Sequence, residues 1–183
     1  ARVQTMHTME HHLKMHVRHE RERDADAIRE VVYAAFLNHP MHAPGALPHE
    51  PALVEALRAA EALTLSLVAE ADDGRILGHL AFSPVTVGGR DAGWYGVGPV
   101  AAHPSCQGRG IGSALVNQGL GELRGLGAGG AVLVGDPNYY RRFGFHPDPA
   151  LTLEGVPPEY FLALPLGETR TSGAVCFHSA FAG

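Results

Sequence analysis

Apolar positions along this chain alternate between two periods, and the changes of period divide it into elements. His16-Val17-Arg18 opens a first strand, after which Asp24 can cap a helix whose Ile28, Val31, Val32, Ala35 and Phe36 recur at three- and four-residue spacing and so form one apolar face. That helix ends before Asn38-His39-Pro40. Residues 40–51 hold Pro40, Pro44, Pro48 and Pro51 with Gly45, which makes a loop of the length that often shapes binding sites. Helical spacing returns over 52–63 through Leu53, Leu57 and Ala60. Residues 65–70 and 76–85 flank Asp72-Asp73-Gly74 and predict a hairpin. Gly88-Gly89-Arg90-Asp91 predicts a further turn before a strand at 94–103. Ile111, Leu115, Leu120, Leu123 and Leu126 then fall along one side of a helix that stops at Gly127-Ala128-Gly129-Gly130, and 131–134 reads as a buried strand. Strand, helix and strand in this order predict a parallel pair joined by a right-handed crossover. Further strands are predicted at 151–153, 160–164 and 173–178. No internal repeat is evident, and the fold class is α/β (α+β): one mixed sheet with helices on both faces.

The length of 183 residues suits one domain with a sizeable core and is short for two. The division read from the sequence is a poorly ordered extension at 1–15 and a single domain at 16–183. With 45% hydrophobic and 18% charged residues the composition is that of a soluble globular protein, and no window approaches the roughly 18 apolar residues of a membrane span. Met6, Met9 and Met15 stand among His7, His11 and His12 without the apolar stretch of a secretory signal. Cys106 and Cys176 lack CxxC spacing or framework partners, which fits a reducing cytoplasm. A formal net charge of -5, with Lys14 the sole lysine, disfavours a nucleic-acid role and favours a cationic small amine.

The densest chemical signal is Gln107-Gly108-Arg109-Gly110-Ile111-Gly112-Ser113-Ala114-Leu115. A glycine-rich bend leading into a helix directs free N–H groups and the positive helix end to one point, which suits a phosphate. A Walker loop would need a lysine that is absent. A dinucleotide fingerprint begun at Gly108 would need glycine where Ser113 stands. Gly108, Gly110 and Gly112 let the backbone approach phosphate oxygens without a Cβ in the way; Arg109 either reaches the phosphates or stays solvated. Upstream, Gly96, Gly98 and Pro99 interrupt the 94–103 strand and predict a bulge or splayed edge.

The pattern Q-x-x-G-x-G at Gln107, Gly110 and Gly112, with the preceding strand and the later Tyr140-Arg141-Arg142-Phe143-Gly144-Phe145, resembles the GNAT superfamily of acetyl-CoA-dependent N-acyltransferases. The resemblance covers about 17–145 and is strongest from Gly98 onward. It implies a mixed sheet of about six to seven strands with a splayed pair of central parallel strands. It further implies acetyl-CoA (coenzyme A) as cosubstrate with no metal: the pantetheine arm along Val100, Ala101 and Ala102, the pyrophosphate on Gln107, Gly108, Arg109, Gly110, Ile111, Gly112 and Ser113, and Tyr140 as the catalytic phenol facing the departing thiolate. A backbone N–H beside the arm would stabilise the developing oxyanion. A phenol near pKa 10 facing a thiol near 8.5 makes full proton transfer uphill by about 2 kcal/mol, which favours a hydrogen bond to sulfur. Tyr139 is expected as a buried packing aromatic.

Two positions depart from that family's pattern. Where many members carry a glutamate base this chain has Gly98; substitutes are Asp91, Glu50, Glu55 and His103, none singled out by spacing, or the amine loses its proton in bulk solution. Where many carry an asparagine it has Leu133, and Asp136 with Pro137 reads as a helix cap. His12, His16 and His19 stand at three- and four-residue spacing, but no cysteine or carboxylate arrangement completes a metal site, and none is assigned. Cys106 as a nucleophile lacks a placed base. The expected activity is transfer of an acetyl or other short acyl group to an amine by direct attack. The alternatives are a catalytically weak acyl-CoA sensor or interaction module, and a nucleotide-phosphate binder unrelated to coenzyme A. The partner is a small-molecule or peptide amine, with no nucleic acid and no membrane. Its pocket is expected from the 40–51 loop, the second helix and 157–164, and the C-terminal strands allow a homodimer by sheet contact.

Overall fold

The computed structural model describes residues 14–182. Of the extension expected at 1–15, only Lys14 and Met15 fall within that span, and Met15 is already paired with Ala71 in the sheet. The strands are β1 (Met15–His19), β2 (Leu65–Ala71), β3 (Ile76–Val87), β4 (Arg90–Ala102), β5 (Gly130–Val134), β6 (His146–Pro147), β7 (Leu151–Thr152), β8 (Phe161–Pro165) and β9 (Gly173–Cys176). The helices are α1 (Ala25–Phe36), α2 (Glu50–Ala59), α3 (Ile111–Gly125) and α4 (Pro137–Tyr140). The main path of the sheet runs β1-β2-β3-β4-β5-β8-β6, while β9 adds to β3 and β7 to β9. Nine strands replace the expected six to seven. The surplus comes from pieces such as the two-residue β6 and β7, too short to carry a period of their own.

Helices cover both faces, as the patterning predicts. On β2, Leu67 and Val68 are both fully buried but belong to different clusters. Val68 joins Ile28, Val31 and Val32 of α1, Val54 of α2 and Ala101 of β4. Leu67 joins Ile111, Leu115, Leu120 and Leu123 of α3 with Leu80 and Phe82. A strand buried on both sides reads as a continuous apolar run, and each large side chain so removed from water contributes about 1.5–3 kcal/mol. The crossover β4-α3-β5 joins a parallel pair, as expected.

Two helix starts differ from the sequence reading. Asp24 precedes α1, but its carboxylate accepts from Arg18 Nη1 (2.7 Å) and from the Arg21 N–H (2.6 Å), closing the turn before the helix instead of capping the helix itself. The guanidinium of Arg18 holds Asp24 and Glu70 together, and both carboxyl pKa values lie below the ordinary range because that cation favours their ionised forms. α2 begins at Glu50, two residues early, because Pro51 fits a first turn whose N–H would be unpaired anyway.

Candidate functional site

The centre of the sheet is a fork. β4 and β5 pair at Trp94 with Gly130, Tyr95 with Ala131 and Gly96 with Val132; β4 then continues beside β3 alone as far as Ala102. The cause is local. Leu80 faces Val100 and Phe82 faces Val97, so Gly98 and Pro99 bulge opposite Ala81. Gly98 sits at φ +140, and Pro99 has no N–H to offer a neighbour. The His103 N–H donates to Leu77 O at 2.8 Å, which fixes the alternation along this arm. Ala101 bonds toward β3, while the N–H and C=O of Val100 and Ala102 point into the fork. Of the three residues expected to line the arm, Ala101 thus faces away, with its side chain in the core under α1.

Beyond β4 a short turn (Pro104–Cys106) leads into the glycine loop. Gly108 and Gly110 lie at φ +79 and +81, a left-handed conformation that side chains with a Cβ resist. The first bonded amide is Ala114, to Gly110 O at 3.0 Å; among the described residues the N–H groups from Gln107 to Ser113 meet no main-chain or side-chain acceptor. They form a cradle of donors at the positive end of a fifteen-residue helix, a geometry that suits an anion. Within it Gln107 and Arg109 are exposed, and the Ile111 side chain is buried, so Ile111 contributes only its amide. Arg109 joins none of the described ion pairs.

The far arm of the fork carries Tyr140. Asp136 caps α4 by accepting from the Asn138 N–H (2.9 Å), with Pro137 in the first turn, as expected. The Tyr140 ring lies over Gly135 and Leu133 at the end of β5 and meets Phe145 edge-on. Burial, and then the neighbouring Tyr139, push its pKa up to about 12. Leu133 is a core residue, buried beside α3. Tyr139 is not the buried aromatic the sequence suggested. It is half-exposed, its ring lies 4.2 Å from the Arg142 guanidinium carbon, and its hydroxyl is 3.5 Å from Ser113 Oγ. A Cβ on Gly112 would sit 3.2 Å from that hydroxyl, so the two tyrosines bracket the space between the first turn of α3 and β5.

The substitute bases are mostly engaged. Asp91 accepts from the Gly93 N–H (3.0 Å), Glu55 pairs with Arg29, and His103 caps the turn before the loop. Glu50 is buried against His42. His16 and His19 lie on β1, the expected first strand, and turn to Glu70 and Glu122 respectively; His12 lies outside the described residues. Cys106 is buried and Cys176 exposed, both as free thiols. The grouping of His42 and His49 with Glu50 had no regular spacing by which the sequence could reveal it. No described helix is long and apolar enough to cross a membrane.

The profile of the acetyltransferase (GNAT) domain matches residues 16–147. An uncharacterized N-acetyltransferase of Escherichia coli strain K12, YhbS, is 45% identical over 96 residues, which are 52% of this chain and 58% of that protein, so the match spans little more than half of the relative's length. YjhQ of the same strain, also an uncharacterized N-acetyltransferase, is 32% identical over 75% of this chain and 71% of its own length. Among solved structures, a GNAT family acetyltransferase from Brucella melitensis in complex with acetyl-CoA is 50% identical and superposes with a TM-score of 0.79, covering 93% of this chain and 99% of that one. Escherichia coli YhbS in complex with CoA superposes at 0.85, with 32% identity and 97% of each chain covered.

Proposed function

The chain belongs to the GNAT acetyltransferase family, and on that premise we propose that it transfers an acetyl group from acetyl-CoA directly to the nitrogen of an amine. The observation that carries this reading is the continuity of two unsatisfied surfaces: the free edge of β4 at Val100 and Ala102 runs straight into the cradle of amides from Gln107 to Ser113. An extended amide chain ending in a diphosphate has that order of groups. The complexes of the Brucella melitensis and Escherichia coli relatives with acetyl-CoA and CoA support the same assignment.

Acetyl-CoA supplies a thioester carbonyl and a thiolate leaving group. In our reading Val100 and Ala102 align the arm by strand-like pairing, and one of their N–H groups donates to the carbonyl oxygen as charge develops there. The amides of Gln107, Gly108, Arg109, Gly110, Ile111, Gly112 and Ser113 hold the diphosphate. Tyr140 donates a hydrogen bond to sulfur. With the phenol at about 12 and a thiol near 8.5, complete proton transfer is uphill by about 5 kcal/mol, more than the unperturbed values imply, so the phenol keeps its proton. Gly98 brings no carboxylate, so the amine arrives already deprotonated; the C–N bond forms as the C–S bond breaks, the excess proton on nitrogen passes to the departing thiolate to give the free thiol, and proximity supplies much of the rate. Attack by a neutral amine on a thioester needs no metal.

The missing carboxylate at Gly98 also favours a second reading, an acyl-CoA-binding module with little transfer. Incubation with acetyl-CoA and a panel of amines and cell extract, followed by mass spectrometry, separates the two. Acetylated product with stoichiometric thiol release supports the transferase; tight acetyl-CoA binding with neither supports the module.

A further inference from the structure

The connection between α1 and α2 brings a second group of reactive side chains together, apart from the fork. Glu50, at the start of α2, is 5% exposed, and among the described residues no arginine or lysine pairs with its carboxylate. His42 Nε2–H donates to both of its oxygens, at 2.6 and 2.9 Å, and His49 Nδ1 lies 3.4 Å from Oε2. One ligand atom from each of the three residues lies within 4.8 Å of the other two. We propose that His42, His49 and Glu50 form a binding site for a divalent cation of the zinc class, which fastens the α1–α2 connection to the first turn of α2.

Three features support the assignment. Two imidazole nitrogens and a carboxylate are a zinc donor set, usually completed by an exchangeable fourth ligand. Bonds of about 2.0–2.2 Å to a tetrahedral ion place its ligands roughly 3.4 Å apart, so the separations around Glu50 already approach that spacing. The remaining His42–His49 gap closes by rotation of His49, whose side chain is 62% exposed and free to turn. Charge points the same way, because a buried carboxylate needs a cation beside it, and a divalent ion supplies one. The partial positive charge of the α2 first turn opposes a cation, but Glu50 lies in that turn and offsets it.

The test uses the full chain stripped with chelator and titrated with Zn2+ by calorimetry and with Co2+ by visible absorption. One ion per chain is expected at this site, with the intense bands of tetrahedral cobalt. His49→Asn should weaken binding at least tenfold while leaving the far-ultraviolet circular dichroism and acetyl-CoA binding unchanged, which separates this site from the proposed cofactor cleft. Glu50→Gln should weaken binding at least as much. Replacing His7, His11 and His12 together by alanine should leave it intact. Absence of binding, or binding lost with the N-terminal histidines and untouched by His49→Asn, overturns the proposal.

Discussion

A phenol whose pKa is pushed up to about 12 keeps its proton between pH 7 and 10, so in the proposed mechanism Tyr140 donates and does not accept. Tyr140→Phe removes that donor while leaving the ring that packs on Gly135 and Leu133. It should lower kcat by one to three orders of magnitude, and calorimetric affinity for CoA should stay nearly the same; an unchanged kcat would remove Tyr140 from the chemistry. Because the protonated form is the active one and its pKa is raised, activity should show no loss traceable to Tyr140 as pH climbs from 7 to 10. His79 gives the opposite sign. Its ring is wholly buried in β3, paired with Ser66 Oγ at 2.8 Å, and burial, then the charge of Arg58, hold its pKa down to about 3. Unfolding releases it to about 6.5, so the unfolded chain binds a proton that the folded chain refuses, and stability falls as pH drops from 6.5 toward 3. Between pH 7 and 5 that loss is about 2 kcal/mol. Urea unfolding at the two pH values should show a drop smaller by roughly this amount in His79→Leu; an equal drop in both proteins would place the acid sensitivity elsewhere.

At the scale of elements, α3 shows how close packing positions the cradle. A Cβ on Gly119 would stand 2.3 Å from the ring of Phe82, so glycine is what lets the helix lie against β3. Alanine is better than glycine in a helix by about 1 kcal/mol, but overpacking a filled core costs about 1–3 kcal/mol. Because Phe82 is fully buried and cannot swing aside, the clash should win and Gly119→Ala should destabilise. Gly121→Ala, on the same helix with no atom within 4 Å of the new Cβ, should stabilise by up to about 1 kcal/mol. Chemical denaturation of the pair checks both signs, and equal effects would refute the packing argument. This helix, its stop and its glycine entrance were legible in the sequence because an apolar stripe and left-handed glycines are local properties. The fork was half legible: Gly98 and Pro99 announced a break in β4, but which of Val100, Ala101 and Ala102 faces it depends on the register with β3, a long-range fact. Likewise Tyr139 was misplaced, since its partners Ser113 and Gly112 lie far away in sequence. Glu50 surfaced only as one spare carboxylate among several, because the loop that delivers His42 to it has no period to read.

For the whole molecule, the first and last described strands, β1 and β9, enter one sheet. β9 pairs with β3 at Thr86 and Val87, and Phe181 packs on Leu53 and Leu57 of α2; we propose from these contacts that the domain folds as a single unit. If that unit unfolds cooperatively, a ligand held by the fork and the cradle stabilises all of it. At one hundred times its dissociation constant a ligand adds about 2.7 kcal/mol, and about 2–4 °C of Tm per kcal/mol for a domain of this size gives a rise of about 5–11 °C. Acetyl-CoA should reach that range. ATP and NAD offer phosphates to the amides of Gln107 to Ser113 but nothing to the free edge of β4, so at equal concentration they should give a much smaller rise. Gly110→Val separates the two surfaces: its Cβ meets no atom within 4 Å, yet the residue sits at φ +81, so the substitution disturbs the cradle through backbone strain alone. That variant should lose most of the acetyl-CoA shift, while its ligand-free Tm falls by only the several degrees that about 1–3 kcal/mol of local strain implies. If ATP stabilised the protein as strongly as acetyl-CoA did, phosphate capture without a pantetheine track would be the better account, and the fork would lose its assigned role.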